Sequence, residues 1–237
     1  KVDKWGAGRY QPKTKLIERL MINTGISKVL FLREEYGDGQ GAFVYSKRNK
    51  YEGNWKDGLR DGFGVHTLPD RSKYVGQHKK GQRHGKGTEI LKNGEKYSGN
   101  WKDGTREGKG IYTWPSGAKY VGEFKNWDLN GHGTFSFPDG GKYVGEFKNG
   151  EHHGIGVHTE SDGDRYEGQW KNGMPHGKGI HTQTNNDVYE GNWLKGSKHG
   201  QGIYTMKDLG EYEGQWRNSD MEGQGTLTFH NGYYITG

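Results

Sequence analysis

Eleven histidines are the residues whose type first invites chemistry here, as metal ligands or as acid–base groups. His84, His153, His176 and His199 each stand directly before a Gly-x-Gly, while His66, His158 and His181 take the place that Tyr112 and Phe135 hold elsewhere. Within each set the separations are multiples of 23 residues. On a hairpin array such residues sit on successive hairpins, roughly 9–10 Å apart, too far to share one ion. His152 and His153 are neighbours in the chain but point to opposite sides of an extended backbone. The chain has no Cys, which excludes thiol nucleophiles, disulfides and cysteine zinc sites.

Other chemistry fares no better. Gly85-Lys86-Gly87 and Gly177-Lys178-Gly179 look like pieces of phosphate loops. Neither Gly-x-x-x-x-Gly-Lys-Ser/Thr nor a Gly-x-Gly-x-x-Gly opening a helix occurs. Asp162-Gly163-Asp164 lacks the rest of a calcium loop, and Glu34-Glu35 lies in a charged segment with no cleft to desolvate it. No Ser-His-Asp arrangement stands out from the repeat. The sequence therefore assigns no catalytic residue, no metal site and no cofactor, and the chain reads as non-catalytic.

The elements that carry these residues are repeats. Tyr51, Tyr74, Tyr97, Tyr120, Tyr143, Tyr166, Tyr189 and Tyr212 follow one another at 23-residue intervals without insertion. Each opens a Tyr-x-Gly-x-Trp/Phe unit, with His78 the one substitute at the last place, and a Gly-x-Gly follows eleven residues after each Tyr. The first segment alternates with period 2, placing Tyr, Gly and Trp/Phe on one face. A glycine-bearing loop such as Lys56–Asp61 leads into a second strand. That strand ends in Asn93-Gly94, Ser116-Gly117, Asp139-Gly140 or Asn231-Gly232, read as tight hairpin turns. The predicted fold is all-β, an elongated single-layer antiparallel meander of consecutive hairpins. Gly shares the aromatic face so that rings can lie across backbone without side chains.

Composition agrees. Gly numbers 44, and hydrophobic residues are only 28%, yet Trp, Tyr and Phe number 8, 15 and 8. So many rings argue against disorder, and no apolar run approaches the roughly 18 residues that span a bilayer. Residues 1–50 hold eleven Lys/Arg against five Asp/Glu, while the other 187 carry 24 of each. An electrostatic partner is thus expected at the N-terminal end.

The pattern Tyr-x-Gly-x-Trp-x-x-Gly-x-x-x-Gly-x-Gly, eight times over residues 51–234, resembles the MORN repeat (membrane occupation and recognition nexus). The resemblance implies a curved antiparallel sheet used for assembly, as in radial spoke-head subunits and other cytoskeletal scaffolds. Trp127 and Ser219 depart from the pattern by replacing the loop glycine. The expected organisation is a basic cap or docking segment at 1–27, then a degenerate first repeat at 28–50. Eight repeats follow at 51–234, and 235–237 begin a further one. Thr14–Ile22 is read as a short helix and Ile26–Leu32 as a strand, together capping the sheet edge.

Two functions from different classes compete. The first is a structural scaffold of a cytoskeletal complex, with a ciliary axoneme subunit of radial-spoke type as the implied member. Its partners are other proteins of a large assembly, and a homo-oligomer is compatible with it. Tyr112, Trp114, Phe135, Phe137, Tyr204 and Phe229 are the candidate protein contacts, since they vary on the inner face. The second is a membrane-associated regulator binding acidic phospholipid weakly through Lys13, Lys15, Arg19, Lys47 and Arg48. An accessory module of a larger enzyme, such as a phosphatidylinositol-phosphate kinase, is the third alternative. Nucleic acid is not an expected partner, because the array is neutral and its rings pack internally. The expected location is the cytoplasm, on the cytoskeleton of a cilium or flagellum.

Overall fold

The computed structural model describes residues 38–237. It contains eighteen antiparallel strands in one unclosed sheet and no helix among the described residues. The first compact unit holds β1 (Gly39–Ser46), β2 (Asn49–Lys56), β3 (Leu59–Thr67), β4 (Lys73–Lys79), β5 (Gln82–Ile90) and β6 (Lys96–Lys102). The unit boundary falls inside β7 (Thr105–Thr113). The second unit continues with β8 (Lys119–Lys125), β9 (Asp128–Ser136), β10 (Lys142–Lys148), β11 (Glu151–Thr159) and β12 (Arg165–Lys171). It ends with β13 (Met174–Thr182), β14 (Val188–Leu194), β15 (Ser197–Met206), β16 (Gly210–Arg217), β17 (Asp220–Phe229) and β18 (Tyr234–Thr236). Within each unit a strand pairs with the next in the chain, as β2 does with β3 and β15 with β16.

The two kinds of connection are the reverse of the sequence expectation. Lys56–Asp61 is not a six-residue loop: Asp57 and Gly58 alone turn the chain, both left-handed at φ 49° and 72°, and Lys56 pairs with Leu59. Two left-handed residues make a type I′ turn, whose twist matches the flanking strands. Asn149-Gly150 and Asn172-Gly173 do the same. Asn93-Gly94, by contrast, closes a wider loop. Leu91 N–H reaches Glu95 O, Gly94 N–H reaches Leu91 O, and only Gly94 is left-handed. The Asn93 side chain there accepts from the Glu95 N–H at 3.1 Å, which replaces a ladder bond.

Each hairpin also slips register at its Gly-x-Gly. Gly145 faces Gly156 but Glu146 faces His153, leaving Gly154 and Ile155 in a bulge. The bulge N–H of Ile155 is satisfied by the Glu146 carboxylate at 2.9 Å, and Gln77, Gln169 and Gln215 serve Lys86, Lys178 and Gln224 alike. A polar side chain in the fourth place thus serves the bulge, as a long acceptor in these four repeats and as a donor where Asn192 reaches Gln201 O at 3.1 Å.

The core is one face of this sheet. Tyr51, Tyr74, Tyr97, Tyr120, Tyr143 and Tyr189 have no exposed surface. Every motif tyrosine donates its hydroxyl to the carbonyl three residues on, from Tyr97 to Asn100 at 2.7 Å to Tyr212 to Gln215 at 3.1 Å. Tyr51, Tyr74, Tyr120, Tyr143, Tyr166 and Tyr189 each meet the ring in the fifth place edge-on within the repeat and again in the following one. Tyr166 shows this with Trp170 at 5.1 Å and Trp193 at 5.0 Å. Edge-to-face pairs of this kind add about 0.5–1.5 kcal/mol beyond area burial.

Candidate protein-docking face

Around the tyrosine ladder the inner face carries two variable columns. The one nearer the longer loops holds most of the candidate contacts. In the second unit, Tyr112 and Trp114 have ring centroids 4.5 Å apart, Trp114 and Phe135 5.3 Å, and Phe135 and Phe137 4.7 Å. His158 continues the strip 5.4 Å beyond Phe137. Tyr112 is buried, whereas Trp114, Phe135 and Phe137 are half-buried, so the strip presents ring edges rather than a closed core.

Tyr204 and Phe229 are not part of that strip. Tyr204 on β15 donates its hydroxyl toward Gln183 and Asp187, each at 3.0 Å, and the Lys198 ammonium lies 4.3 Å from its ring centre. Phe229 ends β17 opposite Gly210. Of the basic docking candidates, Lys47 and Arg48 form the exposed turn between β1 and β2, while Lys13, Lys15 and Arg19 lie outside the described residues. The short helix and strand expected before residue 33 lie outside them too.

The second column is hidden in the sequence because the glycine-bearing segment that carries it reads as a loop. Arg60, Arg83 and Arg106 instead project inward over the faces of Tyr51, Tyr74 and Tyr97, at 5.8, 5.0 and 5.1 Å. His152 stacks flat on Tyr143, 3.6 Å away, and Lys198 covers Tyr189 at 4.9 Å. Recognising Asp57-Gly58 as a two-residue turn would have placed this column on the inner face by counting. Glu89 was missed as well. It sits buried where other repeats hold Tyr, Phe, His or Leu, and accepts from Arg83 at 2.6 Å and Arg106 at 2.9 Å. A carboxylate is tolerable there because two guanidinium groups replace its hydration.

His66, His78 and His152 serve packing. His78 is buried and lies edge-on to Tyr51 and Tyr74, 5.0 Å from each. Burial, then nearby Arg60, lowers its pKa to about 4, and His66 and His152 are likewise lowered to about 4, mainly by burial. They are neutral rings near pH 7. His181 bonds to Asp164 and His158 lies 3.5 Å from Glu160. Among the described residues no group of His, Asp and Glu is placed to hold a metal ion.

A periodic hairpin sheet with its rings packed on glycine and variable side chains left over on one face defines a β-repeat scaffold for binding proteins. The family model for the MORN repeat matches at 51–73, 74–96, 97–119, 120–142, 143–165, 166–188, 189–210 and 212–232, and the chain belongs to that family. No curated protein sequence matches it. Among solved structures, the SAS-4 TCP domain of Drosophila melanogaster, in complex with a proline-rich motif of Ana2, is 13% identical with a TM-score of 0.40. That alignment covers 64% of this chain and 83% of the other. The TCP10 domain of Danio rerio CPAP, in complex with a STIL peptide, is 14% identical at a TM-score of 0.28, over 75% and 94% of the two chains. Scores this low assign neither a shared fold nor a shared function.

Proposed function

We propose that this protein is a non-catalytic scaffold of a cytoskeletal complex that receives a segment of a partner protein across Tyr112, Trp114, Phe135 and Phe137. The observation that carries this reading is the contiguity of those four rings, each 4.5–5.3 Å from the next along the strip, with three of them left half-buried. Rigid aromatic anchors with little rotamer entropy are the residues that dominate protein interfaces. A partner's extended or helical apolar segment fits such a strip. The family resemblance favours the ciliary axoneme, in a radial-spoke type of position, as the assembly. Residues 28–50 are read as a degenerate first repeat, because Gly41 accepts the Trp55 indole N–H as Gly87 accepts that of Trp101. Among the described residues no helix is long and apolar enough to cross a membrane.

The test extracts source cells with non-ionic detergent and follows the chain by mass spectrometry through rising salt. Retention in the detergent-resistant pellet, with partners recovered by cross-linking, is expected. Trp114→Ala with Phe137→Ala should then lose those cross-links while keeping the native circular dichroism spectrum. Release of the native chain into the detergent phase overturns the reading in favour of membrane association.

A further inference from the structure

The array that sums to neutral over residues 51–237 is divided. Residues 51–107 carry 12 Lys/Arg and 8 Asp/Glu, and residues 108–237 carry 12 and 16, so its two parts stand at +4 and −4. In each unit the excess gathers at the sheet edge with the longer loops. On the first, Lys47, Arg48, Arg71, Lys73, Lys92 and Lys96 are all exposed, set against Asp70 and Glu95. On the second, the connections after β9, β11, β13 and β15 bring Asp139, Glu160, Asp162, Asp164, Asp187 and Asp208 to the edge, against Lys142, Arg165 and Lys207. Each edge also exposes an apolar residue. Ile90, 43% exposed, pairs in register with Lys73 and Lys96, and Leu209, 44% exposed, follows Asp208.

We infer that the occupant of these edges is a second copy of this chain, the basic edge of one copy's first unit docking on the acidic edge of another copy's second unit. A surface and its electrostatic complement on one polypeptide are the condition for self-association, and like-sign contacts between identical units are rejected by the same charges. Ile90 and Leu209 supply the apolar area that steering alone lacks. The contact uses none of Tyr112, Trp114, Phe135 or Phe137, so it and the partner-binding reading fail independently.

Sedimentation velocity of the full chain tests this. Self-association should be present at about 0.05 M NaCl and weaken at least about tenfold by about 0.5 M, where the screening length falls to a few ångströms. The reversal set Arg71→Glu, Lys73→Glu, Lys92→Glu, Lys96→Glu should sediment as a monomer, and so should Glu160→Lys, Asp162→Lys, Asp208→Lys. Mixing the two sets should restore a complex. The milder pair Lys73→Gln, Lys96→Gln should weaken association about tenfold without disturbing the fold, as read by circular dichroism. A native chain that remains monomeric at low salt overturns the inference. Association indifferent to salt or to reversal, or no complex from two folded reversal sets, overturns it equally.

Discussion

The indole N–H of Trp170 donates to the carbonyl oxygen of Gly156 at 3.1 Å, fourteen residues back and in the preceding repeat. The same glycine lies beneath the Tyr143 ring, where a methyl group on its Cα would fall on the phenol oxygen. One residue without a side chain thus serves two aromatic residues of two repeats. Gly179 does so for Tyr166 and Trp193, and Gly202 for Tyr189 and Trp216.

That double service makes Gly156→Ala costly, at about 3 kcal/mol, because the obstructing ring is locked by its neighbours and cannot yield. Gly104→Ala, at a left-handed turn with open space around it, should cost about 1 kcal/mol through backbone conformation alone. Urea denaturation of both variants checks the contrast. Equal losses would mean that the ring contact contributes nothing.

Acid should destabilise the sheet through its buried histidines. The folded pKa of His78, His66 and His152 is about 4, below the ordinary 6.5, so the unfolded chain binds more protons between those values. Their contribution is complete above about pH 6.5 and is lost as pH falls toward 4. Neither ring nitrogen of His78 makes a hydrogen bond of good geometry among the described residues. His78→Phe, the residue type of Phe124 and Phe147 at the same place, should therefore add about 1–2 kcal/mol at neutral pH. It should also flatten part of the decline on acidification. An acid limb with unchanged slope in thermal melts at pH 7.5 and 5 would remove His78 from the account.

Much of this was legible because aromatic and glycine positions are fixed by the same contact. Tyr-x-Gly-x-Trp at 23-residue spacing specifies two strands per repeat and the face that packs, and His152 and His153 do diverge as an extended chain requires, the first onto Tyr143 and the second opposite Glu146. Turn type was not legible by composition alone. Asp57-Gly58 and Asn93-Gly94 are chemically alike, yet the first supplies two left-handed residues and the second one, a choice set by strand register rather than by the dipeptide. That misplacement hid the inward column of Arg60, Arg83 and Arg106. Glu89 was hidden for a different reason: its burial depends on two arginines that lie six residues before it and seventeen after it.

Ser219 holds φ 75° where six other tight turns have glycine. A left-handed conformation costs a residue with a side chain about 1 kcal/mol, and the Ser219 hydroxyl gives back an exposed 3.2 Å bond from the Lys198 N–H. Ser219→Gly should raise the midpoint of thermal unfolding by a few degrees, a gain of somewhat under about 1 kcal/mol. A lower midpoint would show that the hydroxyl outweighs the backbone.

Glu89→Gln should cost about 3 kcal/mol, since it leaves Arg83 and Arg106 facing each other in a buried site with no anion between them. Removing both charges of one contact, as in Glu89→Leu with Arg106→Leu, should recover much of that loss. Denaturant midpoints of the single and double variants settle it; an additive pair would mean that the two residues act separately.

The carbonyl that each of these indoles finds lies in the preceding repeat, always fourteen residues behind it, so the array works as a ruler with a fixed graduation. Excising or inserting exactly 23 residues between two tyrosines returns every ring to an equivalent glycine, whereas a change of 22 or 24 sends whole strands to the wrong face. Span is therefore adjustable in discrete steps of roughly 9–10 Å, two strand widths at a time. Such an object can be re-gauged by simple duplication without a new core having to be invented.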